Sequence, residues 1–91
     1  FWTRQGRKSI KQSQYLKDLS PLEEGCGCYA CRHFSKAYIR HLFKANEMLA
    51  YRLISIHNIH FLNNLMEELR QAIREDRYPA FREEFFANYQ L

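Results

Sequence analysis

Three cysteines stand within six residues, in the run Cys26-Gly27-Cys28-Tyr29-Ala30-Cys31. An odd, tight cluster is a poor disulfide framework, and a Cys26–Cys28 bridge would close a strained loop. The opening residues show no secretory-leader pattern, so clustered thiols point to a reducing compartment and to metal. Zinc takes four ligands in a tetrahedron, at about 2.3 Å to sulfur and about 2.0–2.1 Å to nitrogen. Spacings of two and three residues let one tight loop bring three thiolates to one ion, with Gly27 where the backbone bends. One corner is left. Water there makes a catalytic site, and a protein ligand makes a structural one.

The chain offers His33, His41, His57 and His60 for that corner. His33 lies too near Cys31 for easy closure, and His41 falls in the middle of a helical pattern. His57 sits at the expected start of a long helix, from which it can project back to the loop. His60 is one turn on and shares that face. Spacing favours His57, with His60 second. On the cysteine pattern alone a redox patch or an iron–sulfur site stays open. No other catalytic constellation stands out: there is no Gly-rich phosphate loop, nucleophile elbow or His-Glu-x-x-His. Asp18 and Asp76 are the only aspartates, and Glu67 and Glu68 beside Arg70 read as surface pairing.

The elements that must position these residues read as mainly helical after a short β segment. Residues 1–17 read as extended, a short hairpin or two edge strands. Ser20-Pro21-Leu22-Glu23-Glu24-Gly25 is a turn-rich linker. Ser35 suits the N-cap of a first helix, with Tyr38, Leu42, Ala45 and Leu49 along its inner face. Leu53-Ile54-Ser55-Ile56 is short and β-branched, and Ser55 reads as the N-cap of a second helix. Its stripe is Ile59, Leu62, Met66, Leu69 and Ile73, and it ends near Asp76. Pro79 suits the first turn of a third helix, with Phe81, Phe85 and Tyr89 inward. The division expected is residues 1–20 as the β or extended segment and 21–91 as a helical metal-binding subdomain of Cys loop plus three helices.

Ninety-one residues make one small domain, burying roughly 60–65% of the surface its unfolded chain exposes. At 46% hydrophobic and 26% charged residues, the composition excludes collagenous and disordered chains. No apolar run approaches the ~20 residues of a membrane span. A chain starting at Phe1 rather than Met is expected to be processed or a piece of something longer.

Charge is unevenly spread. Residues 1–20 and 31–57 each carry five Lys/Arg against one acid, whereas residues 58–91 carry four against six. Arg32, Lys36, Arg40 and Lys44 recur every four residues along one side of the first helix. Like charges at that spacing repel, and a polyanion backbone would relieve them; a solvated face is the plainer reading. Arg4, Arg7, Lys8 and Lys11 form a second basic segment. The accompanying Tyr29, Phe34, Tyr38 and Phe43 suit core or protein interface better than base stacking.

Several longer runs carry a specific resemblance. Asp18-Leu19-Ser20-Pro21-Leu22 precedes the cysteines. Ser35-Lys36-Ala37-Tyr38-Ile39-Arg40-His41-Leu42 and Asn46-Glu47-Met48-Leu49 follow them. Ile56-His57-Asn58, Leu65-Met66-Glu67 and Arg70-Gln71-Ala72-Ile73 come last. Over almost its whole length the chain resembles the C-terminal zinc-binding part of tRNA-guanine transglycosylase, also called queuine tRNA-ribosyltransferase. The resemblance implies the zinc subdomain of a (β/α)8-barrel enzyme, a pentosyltransferase. Such an enzyme replaces guanine at the tRNA anticodon wobble position with queuine or a 7-deazaguanine precursor. An aspartate nucleophile attacks the ribose anomeric carbon and forms a covalent RNA–enzyme intermediate. Those aspartates would lie in the barrel, outside this chain, so no catalytic residue is expected here.

By the same resemblance Cys26, Cys28, Cys31 and His57 hold one structural zinc, with no open position. Phe34, Tyr38 and His41 fall at subunit contacts of a homodimer, although the family commonly has two consecutive histidines where this chain has Arg40-His41. It also often has Gly where Ala50 stands. The basic ladder becomes a tRNA-backbone contact. The expected setting is the cytoplasm, with tRNA and the rest of the barrel as partners and no membrane. Two other readings are a non-catalytic paralogue of the family and a free-standing zinc module that binds RNA or protein.

Overall fold

The computed structural model describes residues 1–89. It opens with a hairpin of β1 (Trp2–Thr3) and β2 (Gly6–Arg7), antiparallel, with Trp2 opposite Arg7 and Thr3 opposite Gly6. Phe1 and Lys8 extend the register by exchanging backbone hydrogen bonds of 2.8 and 2.9 Å. Gly6 takes φ +124°, a conformation an L-side chain resists, where the two-residue turn rejoins the strand. The extended reading of residues 1–17 therefore holds only for the hairpin, because Ser13–Tyr15 is a 3₁₀ turn. Among the described residues four α-helices follow rather than three: α1 (Tyr29–His33), α2 (Lys36–Lys44), α3 (Met48–Arg74) and α4 (Tyr78–Asn88).

The extra helix lies inside the cysteine run. Cys28 caps α1, its sulfur accepting the Cys31 N–H at 3.3 Å, so the third cysteine rides on a helical turn rather than in a loop. Ser35 caps α2 as expected, its hydroxyl accepting the Tyr38 N–H at 3.2 Å. The inner face of α2 differs from the expected one. Ile39 is fully buried, with Leu42 and Phe43 packed beside it, whereas Tyr38, Ala45 and Leu49 are exposed. Beyond Lys44 the pattern breaks because α2 stops there, which leaves Ala45 and Leu49 outside it. Asn46 turns left-handed (φ 60°), its N–H bonding the Phe43 carbonyl and that of Glu47 the Leu42 carbonyl, both at 3.0 Å. This paired closure ends a helix with its last carbonyls satisfied.

No second start occurs at Ser55. α3 runs unbroken for 27 residues, through Leu53-Ile54-Ser55-Ile56. β-branched residues lower helix propensity by only a few tenths of a kcal/mol each, and burial of Leu53 outweighs that. The inward face of α3 is Ala50, Leu53, His57 and Phe61, at spacings of three, four and four. The expected stripe lies elsewhere: Ile59, Leu62, Met66 and Ile73 are exposed, Ile59 and Ile73 at 60%, and Leu69 is half-buried. They sit about 140–200° round the helix from His57, at roughly 100° per residue. α3 is thus apolar on two opposite faces, and only one is covered by the described residues.

One cluster forms the core. Phe1, Ile10, Tyr15 and Leu22 from the N-terminal segment pack with Cys28, Ala30, Ile39 and Leu53. α3 ends at Arg74, close to the expected Asp76, which itself turns left-handed (φ 55°) and starts the reversal into α4. Pro79 lies in the first turn of α4, and Phe81, Phe85 and Tyr89 are half-buried along α3, Phe85 stacked on Tyr89 at 5.3 Å. The described chain is elongated, 47 × 21 × 17 Å, with the core at one end of α3.

Candidate metal centre

α1 and the loop before it supply three sulfurs, and the middle of α3 supplies one nitrogen. Gly25 (φ +80°) turns the chain so that Cys26 enters from outside, its N–H held by the Glu23 carbonyl at 3.2 Å. His57 is fully buried on the inner face of α3. Its Nδ1 lies 3.6, 3.7 and 3.4 Å from the Sγ atoms of Cys26, Cys28 and Cys31. The four ligand atoms all fall within 4.8 Å of one another.

These distances test whether the residues fit a metal. Ligand bonds of about 2.3 and 2.05 Å at tetrahedral angles place sulfur and nitrogen about 3.6 Å apart. The three S···N separations, 3.4–3.7 Å, match that edge. The far side of the imidazole settles the tautomer. Nε2 lies 2.7 Å from the Trp2 carbonyl oxygen, which can only accept, so Nε2 carries the proton and Nδ1 faces the sulfurs with its lone pair. A backbone carbonyl in this role is a common way to orient a metal-binding histidine.

The electrostatics agree. Burial pushes the Cys26 and Cys31 thiols up from their ordinary range and pushes His57 down, keeping its imidazole neutral. Neutral imidazole suits a ligand, whereas thiols in such a pocket ionise when a divalent cation supplies the opposite charge. Three sulfurs and one nitrogen leave no corner for substrate, so the set can cross-link the chain but cannot polarise a reactant.

His60 is close but outside the set. Its Nδ1 is 3.8 Å from the Cys26 sulfur and 3.3 Å from Asn64 Nδ2. His33 instead lies against Tyr29, ring centroids 4.6 Å apart, and His41 is exposed on α2. Two contributors had no role legible in the sequence: the Trp2 carbonyl, and Asn58, whose Oδ1 accepts the Trp2 N–H at 3.0 Å. A backbone group has no side-chain pattern, and a contact across 56 residues has no local period.

The basic ladder is not one uniform face. Arg32 and Lys44 are exposed. Lys36 is turned inward, its Nζ 3.1 Å from Ser20 Oγ, 3.5 Å from Asp18 Oδ2 and 5.5 Å from the Tyr15 ring centroid. The Ser20 hydrogen bonds, with Lys36 adding to them, hold the Asp18 carboxyl below the usual carboxylate range. Arg40 is half-buried, and its Nε finds no partner among the described residues. Phe34 and Tyr38 stack at 5.6 Å with rings 12° apart, and Tyr29 adjoins Phe34 at 5.9 Å. His41 follows Tyr38 by one helical turn, also exposed.

Comparison with known proteins places this geometry. Residues 1–91 match the sequence profile of the family described as Queuine tRNA-ribosyltransferase. A queuine tRNA-ribosyltransferase of Dictyoglomus turgidum is 56% identical over 89 residues, covering 98% of this chain and 23% of the relative. One from Staphylococcus aureus (strain JH9) is 57% identical over 89 residues, covering 98% and 24%. The chain spans about a quarter of the length of these curated relatives. A profile matched from first residue to last, on a chain whose three cysteines and one histidine converge, assigns it: the chain belongs to the queuine tRNA-ribosyltransferase family.

Proposed function

We propose that this chain is the zinc-bearing C-terminal part of a transferase that exchanges guanine at the tRNA wobble position for queuine or a 7-deazaguanine precursor. The observation that carries the reading is the closed Cys26, Cys28, Cys31 and His57 set, within a chain matching the family throughout. Bound zinc would supply a cross-link and no reactive position. The chain's own residues do the rest. His57 joins α3 to the cysteine loop through Nδ1 and to the hairpin through Nε2. Catalysis would belong to aspartates of a (β/α)8 barrel in the rest of the polypeptide. The exposed stripe Ile59, Leu62, Met66 and Ile73 is the surface that would pack on it.

The same reading gives tasks to two surfaces. Arg32 and Lys44, with Arg40 between them, would meet the tRNA backbone, while Lys36 serves as an internal tie to Asp18 and Ser20. Phe34, Tyr38 and His41 would meet a second copy of the enzyme. The working compartment would be the cytoplasm, and no helix among the described residues is long and apolar enough to cross a membrane.

The test uses the full-length polypeptide and labelled guanine. The parent should hold one zinc per chain and insert guanine into tRNA. Cys28→Ser should lose the zinc and destabilise this part by several kcal/mol, because structural zinc binding is folding energy. A metal-loaded parent that inserts no label into any tRNA would overturn the activity. An unchanged melting temperature in Cys28→Ser would overturn the ligand assignment. Arg32→Glu with Lys44→Glu should weaken tRNA binding and flatten its salt dependence by about 0.7–0.9 in log–log slope per lost phosphate contact. Equal slopes in variant and parent would return these residues to a solvated face.

A further inference from the structure

We infer that His60 is a reserve ligand of the metal centre, able to take the corner of Cys26 and convert a Cys₃His site into a Cys₂His₂ site. The inference rests on the metal reading of the four-residue set and adds a fifth donor to it.

Four observations converge on one corner. His60 Nδ1 is 3.8 Å from the Cys26 sulfur, and among the three cysteines it contacts that one alone. It stands three residues after His57 on the same helix, so both rings rise from one side of α3 toward the loop. The Asn64 amide donates to Nδ1 at 3.3 Å, so that nitrogen is the unprotonated one, and it would exchange this one exposed hydrogen bond for the metal. Cys26 is the least constrained of the three sulfurs. It lies between Gly25 and Gly27, where an added Cβ would meet no atom within 4 Å, and it borders a surface hollow shared with His60, Asn64, Glu23 and Glu24. Cys28 is buried and caps α1, and Cys31 is part of that helix, so neither can be replaced without moving the core.

Zinc and cobalt accept imidazole and thiolate interchangeably in tetrahedral structural sites. Loss of Cys26 as a donor therefore leaves two sulfurs and His57 in place, with the His60 nitrogen a short movement from the vacated corner. Loss of Cys28 or Cys31 leaves no second histidine in reach: His33 is held against Tyr29, and His41 points from α2 into solvent.

Cobalt(II) titration of the full chain, read by its visible spectrum and by metal content, tests this. The parent should take one equivalent with tetrahedral bands; a parent that takes none would end the metal reading itself. Cys26→Ala should still bind one equivalent tetrahedrally, with sulfur-to-cobalt charge transfer reduced by about a third as three thiolates become two. Cys28→Ala and Cys31→Ala should not. Cys26→Ala/His60→Ala should lose the tetrahedral spectrum, while His60→Ala alone should match the parent. A Cys26→Ala chain that neither binds nor folds overturns the inference, since binding is what it asserts. Equal retention in the double variant overturns it too, because water would then fill the corner.

Discussion

Trp2 is held at both of its backbone groups by neighbouring residues of one helix. Its carbonyl accepts from His57 and its N–H donates to Asn58. The first of these bonds orients a candidate metal ligand, so the hairpin and the candidate metal centre depend on each other. Asn58→Ala leaves all four ligands intact but strands the Trp2 N–H, at a cost of about 1–3 kcal/mol. Trp2 is the single tryptophan. Its emission should shift to the red in Asn58→Ala while metal content stays at the parental value; unmoved emission would mean that the hairpin is held by other contacts. At this scale much was legible. Cysteine spacing announced three candidate ligands and put His57 ahead of His60, although on the expectation of a helix start at Ser55, whereas His57 lies in the middle of α3. The Trp2 contact was not legible, because its partner is main chain and lies 55 residues away.

Helix ends in this chain are set by single residues. Asn46 and Asp76 both adopt positive φ, and each closes a helix by the same paired backbone bonds. Asn tolerates the left-handed region better than most residues, and Gly tolerates it best. Asn46→Gly should therefore leave thermal stability near the parental value, whereas Asn46→Val should cost about 1–2 kcal/mol. A Val variant melting with the parent would show that the α2–α3 junction is not strained by φ. The sequence marked Ser35 and Pro79 correctly, since caps and first-turn prolines act locally. Ser55 was misleading for the complementary reason: a serine followed by a helical stripe looks like a start, but tertiary burial of Leu53 and Ala50 carries the helix through it.

At the scale of the molecule, α3 is a spine with two apolar faces. One face buries Ala50, Leu53, His57 and Phe61 in this chain, and the other shows Ile59, Leu62, Met66 and Ile73 to solvent. A helix apolar on both sides is stable in water when both sides are covered. Ile59→Glu/Met66→Glu should therefore leave metal binding of the 91-residue chain unchanged and lower the melting temperature of the full-length polypeptide. The scale is about 1.5–3 kcal/mol for each buried side chain lost. An unaffected full-length protein would leave that face to another partner.

The sequence by itself determined the cysteine cluster, the helical class, the cap at Ser35, the first-turn Pro79, and the family, because each rests on residue type and short spacing. Only the tertiary structure decided which face of α3 turns inward and that the cysteine run contains a helical turn. It also decided that Lys36 is spent on Asp18 and Ser20 rather than presented to solvent. Periodicity marks apolar faces but cannot say which is covered within the chain, and α3 has two. The inner face is chosen by the hairpin and the cysteine loop, which reach His57 from positions 55 and 31 residues earlier.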